Sequence, residues 1–150
     1  MKIIQVLLVL SAFIVAIYPI WGFIDPQSYL VEILEVYPSA TNASEMQVIK
    51  AAALLLLSNM TIATAFIFIA KFIKSPEQYK FAKFAGLALI SYPIVLSIVE
   101  VFAARTLYSH LESPLYTLEF SSIKLLYILM GLSIIGIYKS QEGLVRQQKA

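Results

Sequence analysis

Four long apolar runs divide the chain, at residues 3–23, 51–70, 84–104 and 120–138. Each holds 19 to 21 residues, and none alternates apolar with polar positions. About 20 residues of helix cross a hydrocarbon core of about 30 Å. Strands in lipid need an alternating pattern and a closed barrel. The pattern therefore predicts an all-α integral membrane four-helix bundle, a single transmembrane domain over residues 1–150. The first run follows Met1-Lys2 as a signal peptide would, but "AIYPIWGF" at its end lacks a small-x-small cleavage pattern. It is also too long for a signal core, and is expected to remain as a helix.

Breaks between the runs carry helix-start chemistry. Asp25-Pro26, Ser75-Pro76 and Ser113-Pro114 each place proline after a capping residue. Proline at the first helical position gives up only an amide hydrogen that has no partner there. Ser75 with Gln78, and Ser44 with Gln47, fit a capping box. Spans two, three and four are thus expected to run a turn or more past their apolar stretches. Between Asp25 and Pro38, the residues Tyr29, Leu30, Ile33, Leu34 and Tyr37 recur at helical spacing around Glu32 and Glu35. This predicts a short amphipathic helix in the first outer loop, covering the bundle.

Charge sets the expected orientation. Of eleven basic residues, eight (Lys2, Lys71, Lys74, Lys80, Lys83, Lys139, Arg146, Lys149) fall on one side of the predicted spans. Asp25, Glu32, Glu35, Glu45, Glu112 and Glu119 fall on the other. Basic loops stay cytoplasmic. Both termini are expected in the cytoplasm of a cell bounded by this plasma membrane, most naturally a bacterial inner membrane. A net charge of +2 gives no reason to expect nucleic acid as a partner.

Faces of the spans identify the unusual positions. Ala82, Gly86, Pro93, Ser97, Glu100 and Ala104 share one stripe of span three. Ser121, Lys124, Tyr127, Gly131 and Tyr138 share one side of span four. Small residues permit close helix approach where lipid supplies no drive for association. Gly86, Gly131, Ser97 and Asn59 are accordingly the candidate helix-contact residues, with Asn59 the best placed to bond across helices. Glu100 and Lys124 each stand five residues inside the outer ends of consecutive antiparallel spans, a depth of roughly 7 to 8 Å. An unpaired charge in the membrane costs on the order of 3 kcal/mol. Glu100 is therefore expected to pair with Lys124, with Lys50 nearby as the third member of the cluster.

Other chemistry is thin. The absence of cysteine excludes disulfides and thiolate metal sites. His110 is the single histidine, and with Glu112 and Glu119 it forms a candidate outer-loop site. One nitrogen ligand is a poor start for a metal centre, so neither metal nor other cofactor is expected. No HExxH, glycine-rich phosphate loop, GxSxG or recognisable triad spacing appears. The chain resembles claudin-like and tetraspanin-like proteins in helix count, but it lacks their outer-loop cysteines, so the resemblance implies nothing further. The expected function is binding, as a non-enzymatic accessory or regulatory subunit or an immunity-type protein that contacts another membrane protein or itself within the bilayer. The alternative is a small oligomeric transporter or channel for a proton, ion or lipid-like solute, using Glu100 and Lys124. A bound lipid near Lys124 and His110 would instead point toward lipid chemistry.

Overall fold

The computed structural model describes residues 2–37, 40–75, 77–108 and 121–149. Helix α1 covers Lys2–Ile17 and passes through a single 3-10 turn, Tyr18–Ile20, into the short α2, Trp21–Ile24. Helix α3 is Pro26–Val36, α4 is Glu45–Lys74, α5 is Lys80–Leu107 and α6 is Ser122–Lys149. The described residues contain no strand. Four helical stretches are long and apolar enough to cross a membrane: Ile3–Ile24, Glu45–Lys74, Lys80–Leu107 and Ser122–Leu144. At 1.5 Å per residue α4 and α5 are about 45 and 42 Å long, well beyond a hydrocarbon core.

Two helix starts are set by capping side chains. Asp25 precedes Pro26 at the start of α3 and accepts the Ser28 amide at 3.1 Å. Hydrogen bonds from Ser28 hold its carboxyl below the ordinary carboxylate range. Ser44 and Gln47 close a reciprocal capping box on α4. The side-chain amide of Gln47 also donates to the Thr106 carbonyl at 2.9 Å, tying the start of α4 to the end of α5.

Ser75 departs from expectation. It terminates α4, its amide bonding back to the Lys71 carbonyl at 3.0 Å, and α5 begins only at Lys80. The chain must reverse between two antiparallel helices, and the Gln78 amide closes a turn onto the Ser75 carbonyl at 2.9 Å. That turn uses the residues that a capping box at Ser75 would have made helical. Pro76 lies outside the described residues, as does the Ser113-Pro114 start.

The long helices pack as a row. Helix α1 lies on α4, α4 on α5 and α5 on α6, and among the described residues α1 and α6 have no substantial contact. The bundle is therefore open. Its inner members carry the buried small residues: Ala51, Ala52, Ser58, Ala63, Ala65 and Ala70 on α4, and Ala82, Ala85, Gly86, Ser97, Ala103 and Ala104 on α5. The flanking helices expose most of their apolar surface, including Ile3, Leu7, Phe13 and Ile14 on α1 and Ile123, Leu126 and Leu129 on α6.

One polar contact answers the proline near the end of the first span. Proline at position 19 has no amide hydrogen, so the carbonyl of Val15, four residues earlier, loses its helical donor. The chain tightens to 3-10 geometry at that point. Asn59 of α4 reaches across and donates its side-chain amide to that same Val15 carbonyl at 2.9 Å. A neighbouring helix thus satisfies what proline removed. Three residues beyond the proline, Gly22 lets α2 meet α3 and α4 closely: a Cβ there would lie 2.6 Å from both Ala52 Cβ and Tyr29 Cδ1.

Asn59→Leu should lower unfolding stability by about 1 kcal/mol, the usual size of a hydrogen bond between membrane helices. In a Pro19→Ala background, where the Val15 carbonyl regains an intrahelical donor, the same substitution should cost clearly less. Chemical unfolding of the four proteins in mixed micelles measures the coupling, and strictly additive costs would dismiss this account of Asn59.

Candidate functional site

The α5–α6 interface is built on two glycines. A Cβ on Gly86 would stand 2.7 Å from the Gly131 carbonyl oxygen, and a Cβ on Gly131 would stand 2.7 Å from the Gly86 carbonyl oxygen. Neither backbone can yield to such a contact, so glycine at both positions fixes how near the helices run. Tyr92 and Tyr127 continue the interface edge to face, with ring centroids 5.0 Å apart. Above them Pro93 and Ser97 are buried on α5. Most hydroxyls in these helices bond to their own backbone, as Thr61, Thr64, Ser91 and Ser133 do. The Ser97 hydroxyl is buried with no hydrogen-bond partner among the described residues.

One turn beyond Ser97, the Lys124 amine of α6 donates to Glu100 Oε2 of α5. The two partners differ in exposure. The Lys124 side chain is 8% accessible and that of Glu100 is 37%. The amine is the charge withdrawn from solvent; the carboxylate forms the open side of the pair.

Helix α3 covers that side. Tyr29, Ile33 and Tyr37, spaced four apart, form its buried face, packed with Val48, Ala51 and Ala52 of α4 and Ala103, Ala104 and Leu107 of α5. The Tyr37 hydroxyl donates to the Glu100 backbone carbonyl at 3.4 Å. Beneath α3 lies a cavity of about 230 Å³ lined by Tyr18, Tyr29, Glu32, Ile33, Tyr37, Leu55, Leu96 and Glu100. Tyr18 donates to Glu32 Oε2 at 3.1 Å on its rim. A second cavity of about 420 Å³ shares Tyr18, Tyr29 and Glu32 and extends past Trp21 and Ser28. Burial pushes the Tyr29 phenol up to about 12, and the neighbouring Tyr18 and Glu32 act in the same direction.

Several candidate residues meet in this arrangement: Glu100 with Lys124, and Gly86 with Gly131. Ser97 is buried one turn from Glu100, and Asn59 serves the α1–α4 contact instead. Lys50 does not join them; it is exposed and forms no ion pair among the described residues. Its place on α4 explains this: Ala51 and Ala52 face the packed side of the helix, Lys50 does not, and among the described residues α4 has no substantial contact with the α6 that carries Lys124. His110, Glu112 and Glu119 lie outside the described residues. Among those described, no three histidine or acidic side chains are grouped as a metal site would need.

No protein-family model, curated protein or solved structure matches the chain. Its site is therefore argued from its own residues. The cavity tyrosines were missed by pattern reading. Tyr29 and Tyr37, with Ile33 midway between them, read as an apolar face, and nothing local shows that Glu32 on α3 and Glu100 on α5 open onto one space.

The unequal exposure of the pair gives an asymmetric prediction. Glu100→Gln strands a buried ammonium and should cost about 3 kcal/mol, the lower end of the range for breaking buried pairs. Lys124→Met leaves a carboxylate that already reaches solvent and should cost less than half as much. The double variant should recover most of the loss. Unfolding of all four proteins in mixed micelles checks the order, and equal costs for the two single variants would contradict it.

Proposed function

We propose that the protein is an integral membrane protein that works by binding the membrane-spanning helix of another protein, as an accessory or regulatory subunit of the kind that includes immunity-type proteins. Both termini and the α4–α5 connection face the cytoplasm, and α3 lies on the opposite surface. Lys71 and Lys74 in the last turn of α4, with Lys80 and Lys83 at the start of α5, support this orientation, as do Asp25, Glu32 and Glu45 at the other end.

The observation that carries the binding role is the outer face of α6. Ser133, Gly136, Ser140 and Gly143 follow one another at steps of three and four residues, and all are exposed. They lie on the side of the helix away from Lys124 and Gly131, its buried positions. Space for a Cβ is open at Gly136, with no atom within 4 Å. Glycine there serves no close contact among the described residues and is a poor helix former. A stripe of small residues on a lipid-facing surface is what a close helix–helix contact requires.

Gly136→Leu should leave the unfolding midpoint within about 2 °C of wild type, since the position is exposed and its Cβ would stand in open space among the described residues. A photoreactive residue at position 137, beside the stripe, should form a single stoichiometric crosslink to another membrane protein, lost in the Gly136→Leu background. A crosslink to a second copy of the chain would replace the subunit reading with a homo-oligomer. No crosslink above that from position 3 on the exposed face of α1 would remove the binding role of α6.

A second reading is passage of a proton or ion past Glu100, favoured by the cavity that reaches this carboxylate. In proteoliposomes it predicts flux that disappears in Glu100→Gln/Lys124→Met, the double variant expected to keep its fold. Unchanged flux in that variant, or none in the wild type, would end the transport reading.

A further inference from the structure

We propose that the cavity beneath α3 is a binding site for a small alkylammonium cation of about the size of choline, held by Glu32 against the rings of Tyr18, Tyr29 and Tyr37. Charge is the first argument. Two carboxylates, Glu32 and Glu100, line the space. Lys124 balances Glu100. Glu32 receives only the neutral Tyr18 hydroxyl and forms no ion pair among the described residues. The Tyr29 phenol, pushed up to about 12 by burial, adds no charge to the wall near neutral pH. One negative charge is thus left on the cavity wall, and an anionic ligand is disfavoured.

The rest of the lining chooses among cations. Three tyrosines, Ile33, Leu55 and Leu96 supply most of the wall. A metal ion needs several oxygen ligands to replace its water and finds few here. An alkylammonium ion carries its charge within apolar methyl or methylene groups, which suit aliphatic walls, while aromatic rings attract the charge itself. Tyr18 and Tyr29 stand with ring centroids 5.8 Å apart and tilted by 59°, two sides of such an enclosure. The volume of about 230 Å³ lies below the range of about 300–1,000 Å³ typical of drug-sized ligands, which selects a small one. This site is lined from the 3-10 turn after α1, from α3 and from α4 and α5, and does not involve the outer face of α6, so it stands or falls separately from partner binding.

Choline, tetramethylammonium and 3,3-dimethyl-1-butanol, the uncharged isostere of choline, are titrated into the purified full-length protein in a non-ionic detergent. Ionic strength is held constant with sodium chloride. Calorimetry reads binding, and fluorescence of Trp21, which lines the adjoining cavity, gives a second signal. Saturable binding of both cations is expected, with the neutral isostere at least about tenfold weaker, the ratio that separates charge recognition from a merely apolar pocket. Glu32→Gln should weaken choline binding by about tenfold or more, whereas Glu35→Gln, the same charge change outside the lining, should stay within about twofold. Both side chains are exposed, so neither change threatens the fold, and thermal melts confirm this. Equal binding of the neutral isostere overturns the proposal. So does an equal effect of Glu35→Gln, or the absence of saturable choline binding up to about 100 mM, where any remaining affinity is too weak for a formed site.

Discussion

Polar groups inside helices of this apolarity must be met by the chain itself, and the fold is arranged around that demand. A carbonyl stripped of its donor or an amine removed from water costs several kilocalories per mole in hydrocarbon, more than any single apolar contact returns. Two such debts shape the molecule. Pro19 strands the Val15 carbonyl, and Asn59 answers it from α4. Lys124 is withdrawn from solvent on α6, and Glu100 answers it from α5. Each answer joins neighbours in the row and limits how far one helix can slide along the other. Apolar surfaces alone would permit many registers.

Small residues make those answers reachable. A lysine can meet a glutamate on the next helix over a range of separations, so the pair does not set the distance; Gly86 and Gly131 do, by bringing backbone against backbone. The same division holds at the other flank, where Gly22 and Ala52 allow α2 to sit near α4 and α3. Van der Waals contact thus sets spacing, polar pairing sets register, and the row follows because α4 and α5 carry such residues on two sides. Ser97 is the exception, a buried hydroxyl with no partner among the described residues. Removing it as Ser97→Ala would delete an uncompensated cost and no hydrogen bond among the described residues.

What could be read from the sequence was whatever depends on local spacing or on depth. Four apolar runs of spanning length gave four helices, and Ser44 with Gln47 gave a capping box because both halves lie within one turn. Glu100 and Lys124 stand at equal distances from the ends of adjacent spans, so their meeting needed only antiparallel packing. Asn59 was recognisable as the amide free to cross between helices, but its target was not, because that target exists only where a proline in another helix has freed a carbonyl. Lys50 was misplaced because depth does not fix rotation: α4 packs on α5, but Lys50 stands on an exposed face of α4, and α6 lies beyond α5. Ser75 was misread because a capping side chain before proline does not show whether the chain must first turn back. The cavity lay beyond reach altogether, since its walls come from residues 18 to 100 and only the packing of α3 brings them together.

The proposed cation site borders Glu100, while the proposed partner surface lies on the helix that carries Lys124, from Ser133 onward and on its opposite face. Lys124 is held on the buried face of α6, and the helix it belongs to carries Ser133, Gly136, Ser140 and Gly143 on its outer face. Glu100 opens onto the cavity, and its backbone carbonyl receives the hydroxyl of Tyr37 from the covering helix. A cation beside Glu32 would draw the Glu100 carboxylate toward the cavity and loosen its hold on Lys124, whereas a partner that fixed α6 would hold the amine in place. Any coupling between the two acts equally in both directions.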